Sequence, residues 1–344
     1  MNSIAISRSR LRLPSRSSWM ERLPHFASLA KPRVMALAVF TALVGLTIAP
    51  AHIDPLPGIV AIVAIAAGAG AAGALNMWYD ADIDAVMART AMRPIPRGHV
   101  SKREALVFGL ALSVIAVVAL ALATNVAAGA LLAGTILFYA VVYTAWLKRS
   151  TSQNIVIGGA AGALPPVIGW AAVTGQAGLE PLALFLIIFL WTPPHFWALA
   201  LNRTGDYARA GVPMLPVVAG RTATTRQILA YSCLLVPASE LPWWLGFAGP
   251  MYGVTTAVCG ALFLVLAHRL NKSSAVDRSA PHRLFLFSIA YLFVLFAVLM
   301  VDHSGGSLSR RPGLPGPGAG RQAAISSSAA PGQSAFPSLS SREV

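Results

Sequence analysis

From Val34 onward the chain is a succession of nine apolar runs, at about residues 34–50, 58–79, 105–123, 126–146, 154–173, 182–201, 227–247, 250–267 and 284–301. Most approach the roughly 20 residues that a helix needs to cross about 30 Å of hydrocarbon. Lipid offers the backbone no hydrogen bonds, so runs of this length restrict the chain to helices that satisfy their own peptide groups. Composition agrees: 56% of the 344 residues are hydrophobic, 11% are charged, and the mean hydropathy is +0.67. Reading length as a count of soluble domains therefore does not apply. A net charge of +14 does not point to nucleic acid, because the bases lie between apolar runs and form no single basic face. Cys233 and Cys259 fall inside apolar runs, where they read as small buried hydrophobes.

The loops orient the runs. No Lys or Arg occurs near 51–57, 124–125, 174–181 or 248–249, whereas the alternate loops carry Arg89 to Arg103, Lys148 with Arg149, Arg203 to Arg226, and Arg269 to Arg283. Bases accumulate on the cytoplasmic face, so the N-terminus is expected inside and, after nine crossings, the C-terminus outside. Residues 1–27 hold Arg8, Arg10, Arg12, Arg16 and Arg22 against Glu21 alone. This reads as the basic tail of a bacterial inner-membrane protein in preference to a mitochondrial transit peptide. Residues 28–302 form the expected transmembrane domain, and 303–344, rich in Ser, Gly, Pro and Ala without periodicity, an expected disordered tail.

Polar residues gather on the cytoplasmic side. Asn76, Asp80 and Asp84 recur every four residues, so on a helix they share one face and can converge on one hard cation such as magnesium. Asp82, two residues from Asp80, points elsewhere. Acids placed where topology calls for bases repel one another unless a cation joins them. Arg89, Arg93, Arg97, Lys102 and Arg103 follow, enough positive charge for a diphosphate. A second cluster, Asn202, Arg203, Asp206, Tyr207 and Arg209, repeats the pattern after several helices. Two such clusters facing one another suit a polyanion held by two magnesium ions.

Between them Tyr143 to Asn154 supplies Lys148 and Arg149; Lys148 reads equally as a phosphate ligand and as an interfacial lysine. Pro193 and Pro194 are expected to break the sixth run and turn His195 toward a cavity, although a lone histidine there is first a hydrogen-bonded structural residue. Trp78, Tyr79, Tyr143, Phe196 and Trp197 are candidate aromatic walls near its mouth. Gly68, Gly70 and Gly73 match GxGxxG, but no strand precedes them; with Gly158 and Gly162 they read as sites of close helix approach.

Six fragments in order, AKPRV from Ala30, NMWYDADIDAVMARTAMRPIPRG from Asn76, YTAWLKR from Tyr143, NIVIGGAAGALPPVIGW from Asn154, WTPPHFWALAL from Trp191 and DYARAGVPMLPVV from Asp206, resemble the protohaem IX farnesyltransferase branch of the UbiA-type membrane prenyltransferases. The resemblance covers about residues 30–300. It implies an all-α integral membrane protein, nine transmembrane helices around a central cavity opening to the cytoplasm. It also implies a magnesium-dependent enzyme that transfers farnesyl from farnesyl diphosphate to a vinyl group of haem B, with water addition, making haem O for terminal oxidases. Haem B is then a substrate and Mg2+ the cofactor. The metal ligands would be Asn76, Asp80, Asp84 and Asp206, the three aspartates catalytic. Arg89, Arg93, Arg97, Lys148, Arg149, Arg203, Arg209, His195 and Tyr143 would bind substrate. The superfamily pattern has aspartates at both ends of its second motif; here position 202 is Asn.

Membrane lipid is the surrounding partner, and a complex with the next haem-modifying enzyme or oxidase assembly factors is a further expectation. Two rivals remain in view: a superfamily member acting on a quinone precursor or chlorophyll-type ring, and a transporter of a phosphorylated lipid or anion. A transporter would carry its charges near the membrane midplane, and these acids sit at one face.

Overall fold

The computed structural model describes residues 19–306, whose regular structure is entirely helical. The order is α1 (Trp19–Leu29), α2 (Pro32–Thr47), α3 (Pro55–Tyr79), α4 (Ala81–Val86), α5 (Lys102–Ala123), α6 (Val126–Ser150) and α7 (Asn154–Thr174). Then come α8 (Leu179–Leu201), α9 (Thr204–Arg209), α10 (Leu215–Val218), α11 (Gly220–Ser239), α12 (Leu241–Trp244), α13 (Pro250–Lys272) and α14 (Ser279–His303). Seven of these, α3, α5, α6, α7, α8, α13 and α14, are long and apolar enough to cross a membrane; the pair α1 and α2, bent by 50° at its break, would make eight. Nine were expected. The run at 227–247 falls on α11 and α12, and α11 opens with the polar stretch Arg221 to Gln227 and stops at Ser239.

Residues 1–18 and 307–344, most of the two expected tails, lie outside the described residues. The last part of the expected basic tail is helical, and Arg22 of α1 pairs with Glu104 of α5 at 2.6 Å. Glu104 also completes a capping box with Ser101 that starts α5. Exposed Val114, Ile115, Val118 and Leu122 give α5 an apolar outer surface suited to lipid.

Small residues let the helices that frame the site come close. A Cβ on Gly45 of α2 would collide with the Pro166 carbonyl of α7, and one on Gly169 with the Ala42 carbonyl, a reciprocal backbone contact. The GxGxxG stretch serves the same purpose: a Cβ would come within 2.7 Å of Leu132 at Gly68 and within 2.9 Å of Ala30 at Gly70. Gly158 packs on the Tyr143 ring as expected, but a Cβ on Gly162 would meet nothing within 4 Å, so no close approach requires a glycine there. Cys233 is exposed and Cys259 half-buried, so neither is the fully buried hydrophobe expected.

The proline pair does not break α8, which runs unbroken through Pro193 and Pro194. A proline's fixed φ suits a helix, and here α14 braces the weakened turn from the side. The Trp191 indole donates to the Ser288 carbonyl at 2.7 Å, and His195 Nδ1 shares a hydrogen bond with the Ser288 hydroxyl at 2.6 Å.

Candidate active site

At the end of α3 the backbone bends at Asp80 without losing helical bonds: the Asp80 amide donates to the Asn76 carbonyl at 2.9 Å and the Asp84 amide to the Asp80 carbonyl at 2.8 Å. Asn76, Asp80 and Asp84 therefore keep one face, turned into the protein. Asp80 is 0% exposed and Asp84 2%, while Asp82 is an exposed residue. Bringing carboxylates out of water is costly unless bases accompany them. Each acid has its base. Lys148 pairs with Asp80 Oδ2, and Arg93 donates to both oxygens of Asp84 at 2.8 and 2.6 Å. Arg149 forks onto Asp82 at 2.8 and 2.9 Å and reaches within 3.7 Å of Asp80 Oδ1. Hydrogen bonding from Arg149, before any other cause, lowers the Asp82 carboxyl to about 2.

Asn76 is held from three sides. Its amide donates to Asp80 Oδ2 at 2.7 Å and to the Thr144 hydroxyl at 3.1 Å, and its oxygen accepts from Lys31 at 2.8 Å. Lys31 sits at the break between α1 and α2 with φ 50° and ψ 52°, a left-handed backbone uncommon for a side-chain-bearing residue. Sequence reasoning passed over Lys31 as a site residue; a lysine before a proline at the start of the first apolar run is the signal it left. It equally missed Thr144. That residue lies in a ten-residue π-helical stretch of α6, Phe138–Leu147, whose wide turns also carry Tyr139 and Tyr143. Such turns recur at functional sites.

The second cluster meets the first. Arg89, from the loop after α4, lies within electrostatic reach of the Tyr207 side chain of α9, and burial, the dominant cause, raises the Tyr207 phenol above its ordinary value. Tyr143 lies within electrostatic reach of Tyr207, Asp80 and Arg89. Asp206 is 8% exposed, paired with Arg209 and 3.9 Å from Arg203. Arg89, Arg93 and Arg97 line one side of a cavity of about 450 Å³ opposite His25 and His99, whose rings stack at 4.2 Å. Thus Asn76, Asp80, Asp84, Arg93, Lys148 and Arg149 are joined in one network that Tyr143 and Arg89 border, while Asp206, Arg203 and Arg209 form a cluster of their own. Lys102 and Arg103 stand exposed at the start of α5, away from it. Lys148 is drawn inward to Asp80 and does not snorkel.

His195 is 9% exposed and stacks between Trp191 at 4.2 Å and Phe285 at 4.7 Å. Trp197 is wholly buried against Tyr231, a core residue and not a wall at the mouth.

The donor set fits a hard cation. Asp80 Oδ1 is a buried carboxylate oxygen with no hydrogen-bond partner, an expensive arrangement unless something positive completes it. The Asn76 oxygen, also a candidate ligand, is engaged by the Lys31 side chain, which a divalent ion could displace. No group of three or more His, Cys, Asp or Glu side chains is close enough to hold a metal among the described residues. A site here would thus rest on few acids, with remaining oxygens from a diphosphate, as magnesium prefers.

The chain matches the pattern of the UbiA prenyltransferase family over residues 38–298. It is 58% identical over 305 residues to the protoheme IX farnesyltransferase of Parvibaculum lavamentivorans, covering 88% of this chain and 96% of that one. It is 60% identical over 277 residues to protoheme IX farnesyltransferase 1 of Mesorhizobium japonicum, covering 80% and 89%. Its fold resembles that of a digeranylgeranylglyceryl phosphate synthase, with a TM-score of 0.69 at 21% identity, covering 83% of this chain and 99% of that one. It also resembles a UbiA homologue from Archaeoglobus fulgidus bound to DMAPP and Mg2+, with a TM-score of 0.55 at 17% identity, covering 80% and 99%. By sequence and by fold, this chain belongs to the UbiA prenyltransferase family.

Proposed function

We propose that this protein transfers the farnesyl group of farnesyl diphosphate to a vinyl group of haem B, with addition of water, to give haem O. The transferred carbon bonds to the vinyl terminus, water's oxygen to the neighbouring carbon, and water's remaining proton leaves with the diphosphate. Donor and acceptor are read from the name shared by relatives that are 58–60% identical over most of the chain. The observation that carries the chemistry is the Asp80 carboxylate, buried with one oxygen unpartnered beside Lys148 and Arg149, one turn before Asp84 and its Arg93.

Asn76, Asp80 and Asp84 would hold magnesium, with Asp206 opposite. Magnesium, when bound, neutralises the diphosphate and makes it a better leaving group. Lys31, Lys148, Arg149 and Arg93 each sit on an oxygen of the first cluster, placed to turn to phosphate oxygens when a diphosphate enters. Arg89, Arg97, Arg203 and Arg209 extend the positive field at the mouth. No covalent nucleophile is required. The chain must orient two substrates and keep water from an allylic cation until the new bond forms, which Tyr139 and Tyr143, paired at 5.2 Å on the same helix, help to do.

We place nine crossings in the bacterial inner membrane, counting α11 and α12 as one and α1 with α2 as another, with the site facing the cytoplasm. The expected residues 28–302 form the enzyme domain.

The test is incubation of the purified protein with haem B, farnesyl diphosphate and magnesium, followed by mass analysis. A haem heavier by one farnesyl group and one hydroxyl, with stoichiometric diphosphate, is expected. Diphosphate release with unaltered haem would send the reading to another acceptor.

A further inference from the structure

A second basic cavity, of about 610 Å³, lies between the end of α8 and the start of α14. Asn202 and Arg203 line one side, Arg278 and His282 the other, and Leu199 and Phe285 form an apolar floor. None of its lining residues is acidic. The rim is built to keep its shape: the Asn202 amide donates to the Arg278 carbonyl at 3.0 Å, fixing the loop before α14 to the end of α8. The neighbouring acid, Asp277, is turned away from Arg278, since its Oδ1 accepts from the Ser279 amide at 2.7 Å and hydroxyl at 2.8 Å and from the Ala280 amide at 3.2 Å. Arg278 has no ion-pair partner among the described residues. Arg203 has only Asp206, at 3.9 Å, whose other oxygen Arg209 already holds.

The floor continues into the protein as a stack of flat rings. Phe285 lies on His195 at 4.7 Å with 25° between planes, and His195 on Trp191 at 4.2 Å with 17°. An occupant should therefore carry anionic groups at one edge and a flat conjugated body behind them. A diphosphate suits the cavity poorly, because no lining carboxylate could hold its metal. Carboxylates need no metal and match guanidinium groups two oxygens to two nitrogens.

We propose that this cavity receives the acceptor's carboxylates, with Arg203 and Arg278 on the acid groups and the ring edge against Phe285. The inference rests on reading haem B, a ring with two propionates, as acceptor. It moves Arg203 from the diphosphate to the acceptor and brings in Arg278 and His282, which the sequence did not single out. His195 then acts as a positioning residue, supporting the floor through Phe285.

The test compares haem B with its dimethyl ester, which keeps the ring and removes both charges. Binding to purified full-length protein is followed by visible absorbance, and the KM for farnesyl diphosphate is measured alongside. Wild-type protein should bind the diacid more tightly. Arg278→Gln should weaken diacid binding about tenfold, with ester binding and the KM for farnesyl diphosphate held within about twofold. Arg278→Lys should recover part of the loss. Equal binding of acid and ester by wild-type protein would overturn the inference without any variant. So would an Arg278→Gln variant that lost both ligands equally, or one impaired only toward farnesyl diphosphate. Wild-type protein that distinguished acid from ester yet made no farnesylated haem would refute the reaction assignment and leave this cavity's role standing.

Discussion

Asp80 is 0% exposed, and only one of its oxygens is hydrogen-bonded within the protein, by Lys148 and Asn76. Removing one member of such a pair leaves an unneutralised buried charge, so Lys148→Met should lower stability by roughly 3 kcal/mol. The double variant Lys148→Met with Asp80→Asn should recover most of that stability and none of the activity, read by thermal unfolding and product formation on the same preparations. A fully additive double variant would deny the coupling. Lys31→Gly should remove the left-handed backbone cost and fold at least as well, yet transfer farnesyl poorly because the ammonium on Asn76 is gone. Wild-type activity in that variant would reduce Lys31 to a bend-maker. Asp80 and Asp84 were legible in the sequence because acids stood where the membrane rule calls for bases. Lys31 was not, since its role arises only when a chain bend brings it to a residue 45 positions away.

The helices on which these residues ride were legible in part. Apolar runs located α3, α5, α6, α7, α8, α13 and α14, because length and hydropathy are properties of the segment alone. The unbroken α8 and the π-helical stretch of α6 were not, because each depends on neighbours: α14 bonding to the proline turn, and Tyr143 resting on Gly158. The reciprocal contact of Gly45 and Gly169 sets α2 against α7, and α2 begins beside Lys31. Gly169→Val should therefore push α2 aside, costing about 1–3 kcal/mol of stability and a larger share of activity than of folded protein. The check is specific activity per folded molecule. A variant that folds and turns over normally would mean α2 has no part in positioning the site.

For the whole molecule the claim is that two distant halves of the chain close on one cytoplasmic site. Reporters fused after Arg103 and after Arg209 should both be cytoplasmic, and one inserted after Gln176 external. Opposite locations for Arg103 and Arg209 would separate the clusters across the membrane. Within the site, the Asp82–Arg149 pair remains ionised at any working pH because the Asp82 carboxyl lies near 2. Asp82 should then lend its small contribution equally across the assay range and lose it only in strong acid. The most direct test is product formation against magnesium concentration for wild type, Asp84→Asn, Asp206→Asn and Asp82→Asn in the same membranes. Asp84→Asn and Asp206→Asn should each lose about 100-fold or more and shift the magnesium requirement upward, while Asp82→Asn stays within a few-fold of wild type. Equal loss in all three, or a magnesium response unchanged by Asp84→Asn and Asp206→Asn, would contradict a single metal-diphosphate site closed by both clusters.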